Sequence, residues 1–225
     1  MLSAIAAIIF FSLVIVGCKK EENSRLDTNS LTKEISSSSE FREILLNLSE
    51  IKRAIKGTSN LLQEKPIQEY LFKEAATIES LHTLNSFLLK LGYSNAEEIV
   101  KLTVINESLL SKTFKKFPQL YKLEKEHILS IFKEAHTLTI NDSNSLMIKQ
   151  KQADMCSSNY ADGMSGCSDA LAWDLVGAGL GGILALGGTP FASAGTVLAL
   201  AGVAYAKEYH CRVGVVNQWR ACRTR

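Results

Sequence analysis

No cysteine lies between Cys18 and Cys156, and no charged residue precedes Lys19. Proline is scarce, with three in 225 residues, and tryptophan scarcer, with two. Neither sign of charge dominates: 25 Lys and Arg face 23 Asp and Glu, a net charge of +2. Each scarcity excludes something. A nucleic-acid binder carries a strongly basic face, which this balance does not supply. A middle segment without cysteine has neither a thiol nucleophile nor a disulfide. No Cys-x-x-Cys occurs anywhere, so the usual zinc spacing is missing. So little proline leaves long helices uninterrupted.

What is present is unevenly spread. Cys156, Cys167, Cys211 and Cys222 all fall in the last third, and eight of the 14 glycines lie between Gly177 and Gly202. One uniform globular domain does not have this texture. The composition predicts an all-α chain of five parts: a leader at 1–17, a tether at 18–40, a helical bundle at 41–138, a linker at 139–155 and a cysteine-framed hairpin at 156–225.

Residues 1–16 are uncharged and mostly apolar. The run is shorter than the roughly 20 residues that cross a bilayer as a helix, and suits the apolar region of a signal peptide. Val14-Ile15-Val16-Gly17-Cys18 follows. This resembles the lipobox of bacterial lipoproteins, although no Lys or Arg precedes the apolar run. The resemblance implies cleavage after Gly17, acylation of the Cys18 thiol with palmitate, and a lipid membrane as partner. Lys19-Lys20-Glu21-Glu22 is similar to the short charged export signal of surface lipoproteins in some Gram-negative lineages. That implies an outer-membrane, surface-exposed location. The polar stretch to Ser39 reads as a disordered tether.

Between Phe41 and Leu138 apolar residues recur at helical spacing. Phe41, Ile44, Leu45, Leu48, Ile51 and Ile55 form one stripe, ended by Gly57. Tyr70, Leu71, Ile78, Leu81, Leu84, Leu88 and Leu91 form a second, read as one helix with Pro66 near its start and Gly92 as its C-cap. Ser94-x-x-Glu97 matches a capping box for a third helix, and Pro118 opens a fourth. A mostly antiparallel four-helix bundle fits these lengths. Glu79-x-x-His82 and Glu124-x-x-His127 match the spacing of bundle metal ligands. They read as solvated charges and partly buried histidines, so no catalytic residue, metal or cofactor is assigned and no small-molecule substrate is inferred.

From Ala170 to Ala206 the only charge is Asp174. Two apolar helices, 170–186 and 192–206, flank Gly187-Gly188-Thr189-Pro190 as a turn. Gly177 and Gly181, with Gly182, put small residues on one face, opposite Gly195, Ala199 and Val203. Gly177-x-Gly179-x-x-Gly182 also satisfies the dinucleotide fingerprint, but no strand precedes it and position 200 is Leu200, not an acid. Cys156 and Cys167 are eleven apart, as are Cys211 and Cys222, about three helical turns each. Four cysteines allow three connectivities. An antiparallel hairpin favours Cys167 with Cys211 and Cys156 with Cys222. The tail mixes Tyr205, Tyr209 and Trp219 with Lys207, Arg212, Arg220, Arg223 and Arg225, against Glu208 alone.

This cysteine-bounded Gly/Ala-rich hairpin, closed by Trp219-x-x-Cys222, resembles the C-terminal peptide domain of halocin-type bacteriocin precursors. The resemblance implies a membrane-active peptide, with Trp173, Gly177, Gly181, Gly182 and Trp219 meeting lipid. Against it stands a structural or adhesive lipoprotein whose hairpin packs on its own bundle and whose partner is a surface or target-cell protein. Acylation has a direct check. In the full chain, Cys18→Ser is expected to abolish palmitate incorporation and shift the protein out of the membrane fraction. Retention of either property removes the lipobox reading.

Overall fold

The computed structural model describes residues 27–56, 68–143, 155–185 and 194–224. Among them the fold is all-α. The helices are α1 (Thr28–Ser37), α2 (Ser39–Lys56), α3 (Gln68–Ala76), α4 (Leu81–Lys90), α5 (Ala96–Lys116), α6 (Lys125–Ser143), α7 (Met155–Ala185) and α8 (Ala194–Arg223). The leader, Cys18, Gly57, Pro66, most of the linker and the Gly187–Pro190 turn lie outside the described residues.

Four expectations change. Residues 28–37, assigned to the tether, form α1. Asp27 caps it by accepting the N–H groups of Asn29 and Ser30 at 3.1 and 3.2 Å. Leu31 and Ile35, one helical turn apart, are buried, and α1 lies along α6. Two apolar residues are too few to stand out as a periodic pattern in a polar segment. The second stripe is broken: α3 ends at Ala76 and α4 starts at Leu81. Ser80 accepts the Thr83 N–H at 3.1 Å while Thr83 Oγ1 accepts the Ser80 N–H at 3.0 Å. This reciprocal cap wins over continuing the helix.

The capping box expected at Ser94 is not formed. Asn95 holds the N-cap position of α5, without a side-chain hydrogen bond. Pro118 opens a short 3-10 turn, Pro118–Lys122, and α6 begins only at Lys125 and runs to Ser143, into the expected linker. Other details match. Phe41, Ile44, Leu48, Ile51 and Ile55 are buried along α2. Gly92 ends α4 with φ 85°, the left-handed conformation a C-cap glycine supplies.

The core is continuous across the chain. Phe41, Ile44, Leu84, Phe87, Phe114 and Phe132 share one buried cluster with Leu171, Leu175, Leu180, Leu198 and Tyr205. α7 lies against α2, α5 and α6, while α8 lies against α3 and α4. The hairpin arms therefore complete the bundle, which has six helices before them among the described residues.

Close approach explains why several glycines sit in these arms. A Cβ at Gly202 would collide with Ile78 Cδ1 and lie 3.2 Å from the Ala75 carbonyl oxygen of α3. At Gly214, also within α8, a Cβ would meet nothing within 4 Å. The two sites therefore respond oppositely to alanine. Gly214→Ala is expected to stabilise by about 0.5–1 kcal/mol through helix propensity. Gly202→Ala is expected to lower the melting temperature, because α3 must move. Thermal melts followed by circular dichroism compare them; a Gly202→Ala rise as large as that of Gly214→Ala would contradict the packing argument.

Candidate functional site at the hairpin–bundle interface

Both arms are helical, so each eleven-residue cysteine spacing becomes three turns along one face. Cys167 joins Cys211 with Cα atoms 5.7 Å apart, and Cys156 joins Cys222 at 6.0 Å. This is the nested connectivity. Between the two bonds the arms pack on each other. A Cβ at Gly163 would lie 2.9 Å from Val215 Cγ2. The Tyr160 and Trp219 rings are 5.5 Å apart, and the Arg223 guanidinium stands 5.1 Å from the centre of the Trp219 ring.

Nearer the turn, several of the glycines face the bundle. A Cβ at Gly179 would lie 2.6 Å from Leu110 of α5, and one at Gly177 3.7 Å from Lys125 Cε of α6. A Cβ at Gly181 would face the other arm, 3.5 Å from Leu200 Cδ1, with Lys125 Nζ at 3.7 Å. Gly182 is buried. Trp173 is half-buried beside α6, 5.5 Å from the His136 ring and 5.8 Å from Lys133 Nζ. Asp174, the lone charge of the apolar stretch, meets Lys207 of the opposite arm at 3.3 Å. Lys52 of α2 ties Asp169 at 2.5 Å.

A buried polar line runs along α8 at positions 205, 208 and 212. The Tyr205 hydroxyl meets Thr103 Oγ1 at 3.0 Å. Tyr93, in the turn after α4, donates its hydroxyl to Glu208 Oε2 at 2.5 Å. Arg212 Nη1 donates to the Ile55 carbonyl near the end of α2 at 3.0 Å, and its Nε stands 3.6 Å from Glu208 Oε1. Glu208 and Arg212 are only 2% and 3% exposed. Burial raises the Glu208 carboxyl above its ordinary range, against the lowering effect of the Tyr93 hydrogen bond and the Arg212 charge. Burial likewise pushes the Tyr93 phenol well up, with the Glu208 charge adding to it. The sequence pattern left Glu208 and Arg212 in a basic tail suited either to a membrane interface or to solvent. Their (i, i+4) spacing on a helix with apolar residues on either side was the available signal.

The Glu/His candidates of the bundle stay apart. Glu79 lies outside α4, just before its N-cap, and Glu124 just before α6; Glu79, His82, Glu124 and His127 are all exposed. Among the described residues no group of three His, Cys, Asp or Glu side chains is placed to hold a metal. His82 edges an open groove of about 570 Å³ between α4 and α5, floored by Leu81, Val100, Val104 and Ile105. No described helix is long and apolar enough to cross a membrane.

The chain matches no family model, no curated protein and no solved structure.

With the inner bond closed, the outer bond constrains two eleven-residue arms; with the outer closed, the inner removes a comparable entropy. Cys156→Ser/Cys222→Ser and Cys167→Ser/Cys211→Ser are therefore each expected to cost about 3 kcal/mol in denaturant unfolding, and the quadruple variant more. A negligible loss in both double variants would mean the bridges do not constrain the unfolded chain.

Proposed function

We propose that this chain is an exported, lipid-anchored, non-enzymatic surface protein. In this reading the stapled hairpin is an internal strut, and the bundle is held away from the outer membrane to meet a surface or target-cell protein. One observation carries it: the apolar faces of both arms belong to the same buried cluster as the bundle. Each large aliphatic side chain buried there, Leu171, Leu175, Leu180 and Leu198 among them, contributes about 1.5–3 kcal/mol that would be given up on leaving. Lipid would restore part of that. It would also receive Glu208 and Arg212, which now sit inside protein, and charged groups are expensive at bilayer depth. The two disulfides link the arms to one another and not to the bundle, so departure would take the whole hairpin at once.

The membrane-active alternative inferred from the bacteriocin resemblance requires that departure, and the two readings separate cleanly. A specific protease site is placed within 144–154 of the oxidised chain, and the cut protein is passed over a sizing column and added to dye-loaded phospholipid vesicles. The two pieces are expected to co-elute and to release no dye at micromolar concentration. Separation of the pieces with dye release would replace the strut by a membrane-active hairpin.

A further inference from the structure

The groove between α4 and α5 is an apolar surface with no cover among the described residues. Its volume is about 570 Å³, over a floor of Leu81, Val100, Val104 and Ile105. Leu81 is 47% exposed, and Leu89, two turns further along the same side of α4, is 53% exposed. Large apolar side chains grouped in this way mark a place where another surface lands.

Between the two leucines lies Asn85, which lines the groove. Its Oδ1 is shielded from solvent and has no hydrogen-bond partner among the described residues. A buried amide oxygen without a donor costs about 1–3 kcal/mol, so a fitting occupant brings an N–H or O–H to it. The rim adds a second constraint. Glu97 and Lys101, one turn apart on α5, line the same groove, are both exposed and form no ion pair among the described residues. The occupant that fits therefore combines aliphatic surface, an amide-like donor and one charge of each sign about one helical turn apart.

This face itself has all three. A second copy, related by a two-fold axis through the groove at Asn85, would lay its own Leu81 and Leu89 against the facing aliphatic floor. An amide carries both a donor and an acceptor, so two Asn85 side chains can each satisfy the other. The same axis sets Glu97 against the partner's Lys101, and Lys101 against the partner's Glu97. A rim of one sign would repel its own copy; this one is complementary to itself.

We propose that the α4–α5 face is a homodimer interface, in which two copies pack groove to groove around paired Asn85 side chains. A pair of buried asparagines fixes the register of packed helices in a way that apolar contact does not. The face spans only two helices, so association in the micromolar range is expected.

The test is sedimentation velocity of the full, oxidised chain in a density-matched detergent. Between about 1 and about 100 µM the wild type is expected to pass from monomer to dimer. Leu81→Asp, at a side chain already half in solvent, is expected to remain monomeric over that range and to keep the wild-type circular dichroism spectrum. A wild-type monomer at every concentration overturns the proposal and leaves the groove to an occupant of another kind.

Charge exchange tests the two-fold axis. Glu97→Lys and Lys101→Glu each turn two attractive contacts into two repulsive ones, and each is expected to weaken association about tenfold. Mixing the two variants is expected to restore it, because every rim contact across the mixed pair again joins opposite charges. Association unmoved by the single substitutions, or not recovered on mixing, overturns the proposal.

Discussion

Everything in this fold depends on how near α8 can come to α3. Gly202 faces the Ala75 backbone, and no side chain separates the two helices there. That approach brings Tyr205, Glu208 and Arg212 within reach of Thr103, Tyr93 and Ile55, three partners on three other parts of the bundle. Gly179 does for α7 against Leu110 of α5 what Gly202 does for α8. Glycine inside a helix costs nearly 1 kcal/mol relative to alanine. The cost is offset by packing that a larger residue would prevent, and by disulfides that shrink the ensemble from which the arms fold.

The polar line gives the interface a register that apolar contact alone does not. Leucines slide against one another at small cost. A tyrosine, a carboxyl and a guanidinium three and four residues apart each meet a partner of the right kind, and displacing α8 by one turn would break these matches. In a water-poor interior, an unmatched polar group costs about 1–3 kcal/mol. The arms are therefore fixed along their length by this line and at their far end by two covalent bonds.

Much of this was legible in the sequence. The α2 stripe, the Gly92 cap and the two cysteine pairs each follow from spacing along a single helix, which is local information. The misreadings share a cause as well. α1 rests on only Leu31 and Ile35, too weak a periodicity to outweigh Ser36 to Ser39. The α3–α4 break turns on a Ser80–Thr83 cap hidden inside a continuous apolar stripe. The small-residue faces at Gly177 and Gly195 were visible, but a close approach does not name its neighbour. The pattern matched arm against arm, whereas Gly177 faces Lys125 and Gly195 faces the backbone of Glu79. Glu208 and Arg212 read as tail charges because burial of an ion pair is a tertiary property. Lipidation at Cys18 is a reading of motif alone.

The outer disulfide also sets a load path. Cys222, in the last turn of α8, is bonded to Cys156 at the start of α7. Tension applied beyond Cys222 therefore bypasses both long helices. It crosses from Cys222 to Cys156 and is delivered through residues 144–154 to the end of α6, while the helical hydrogen bonds of α7 and α8 carry no tension. Such tension reaches α6 before it strains the stapled arms.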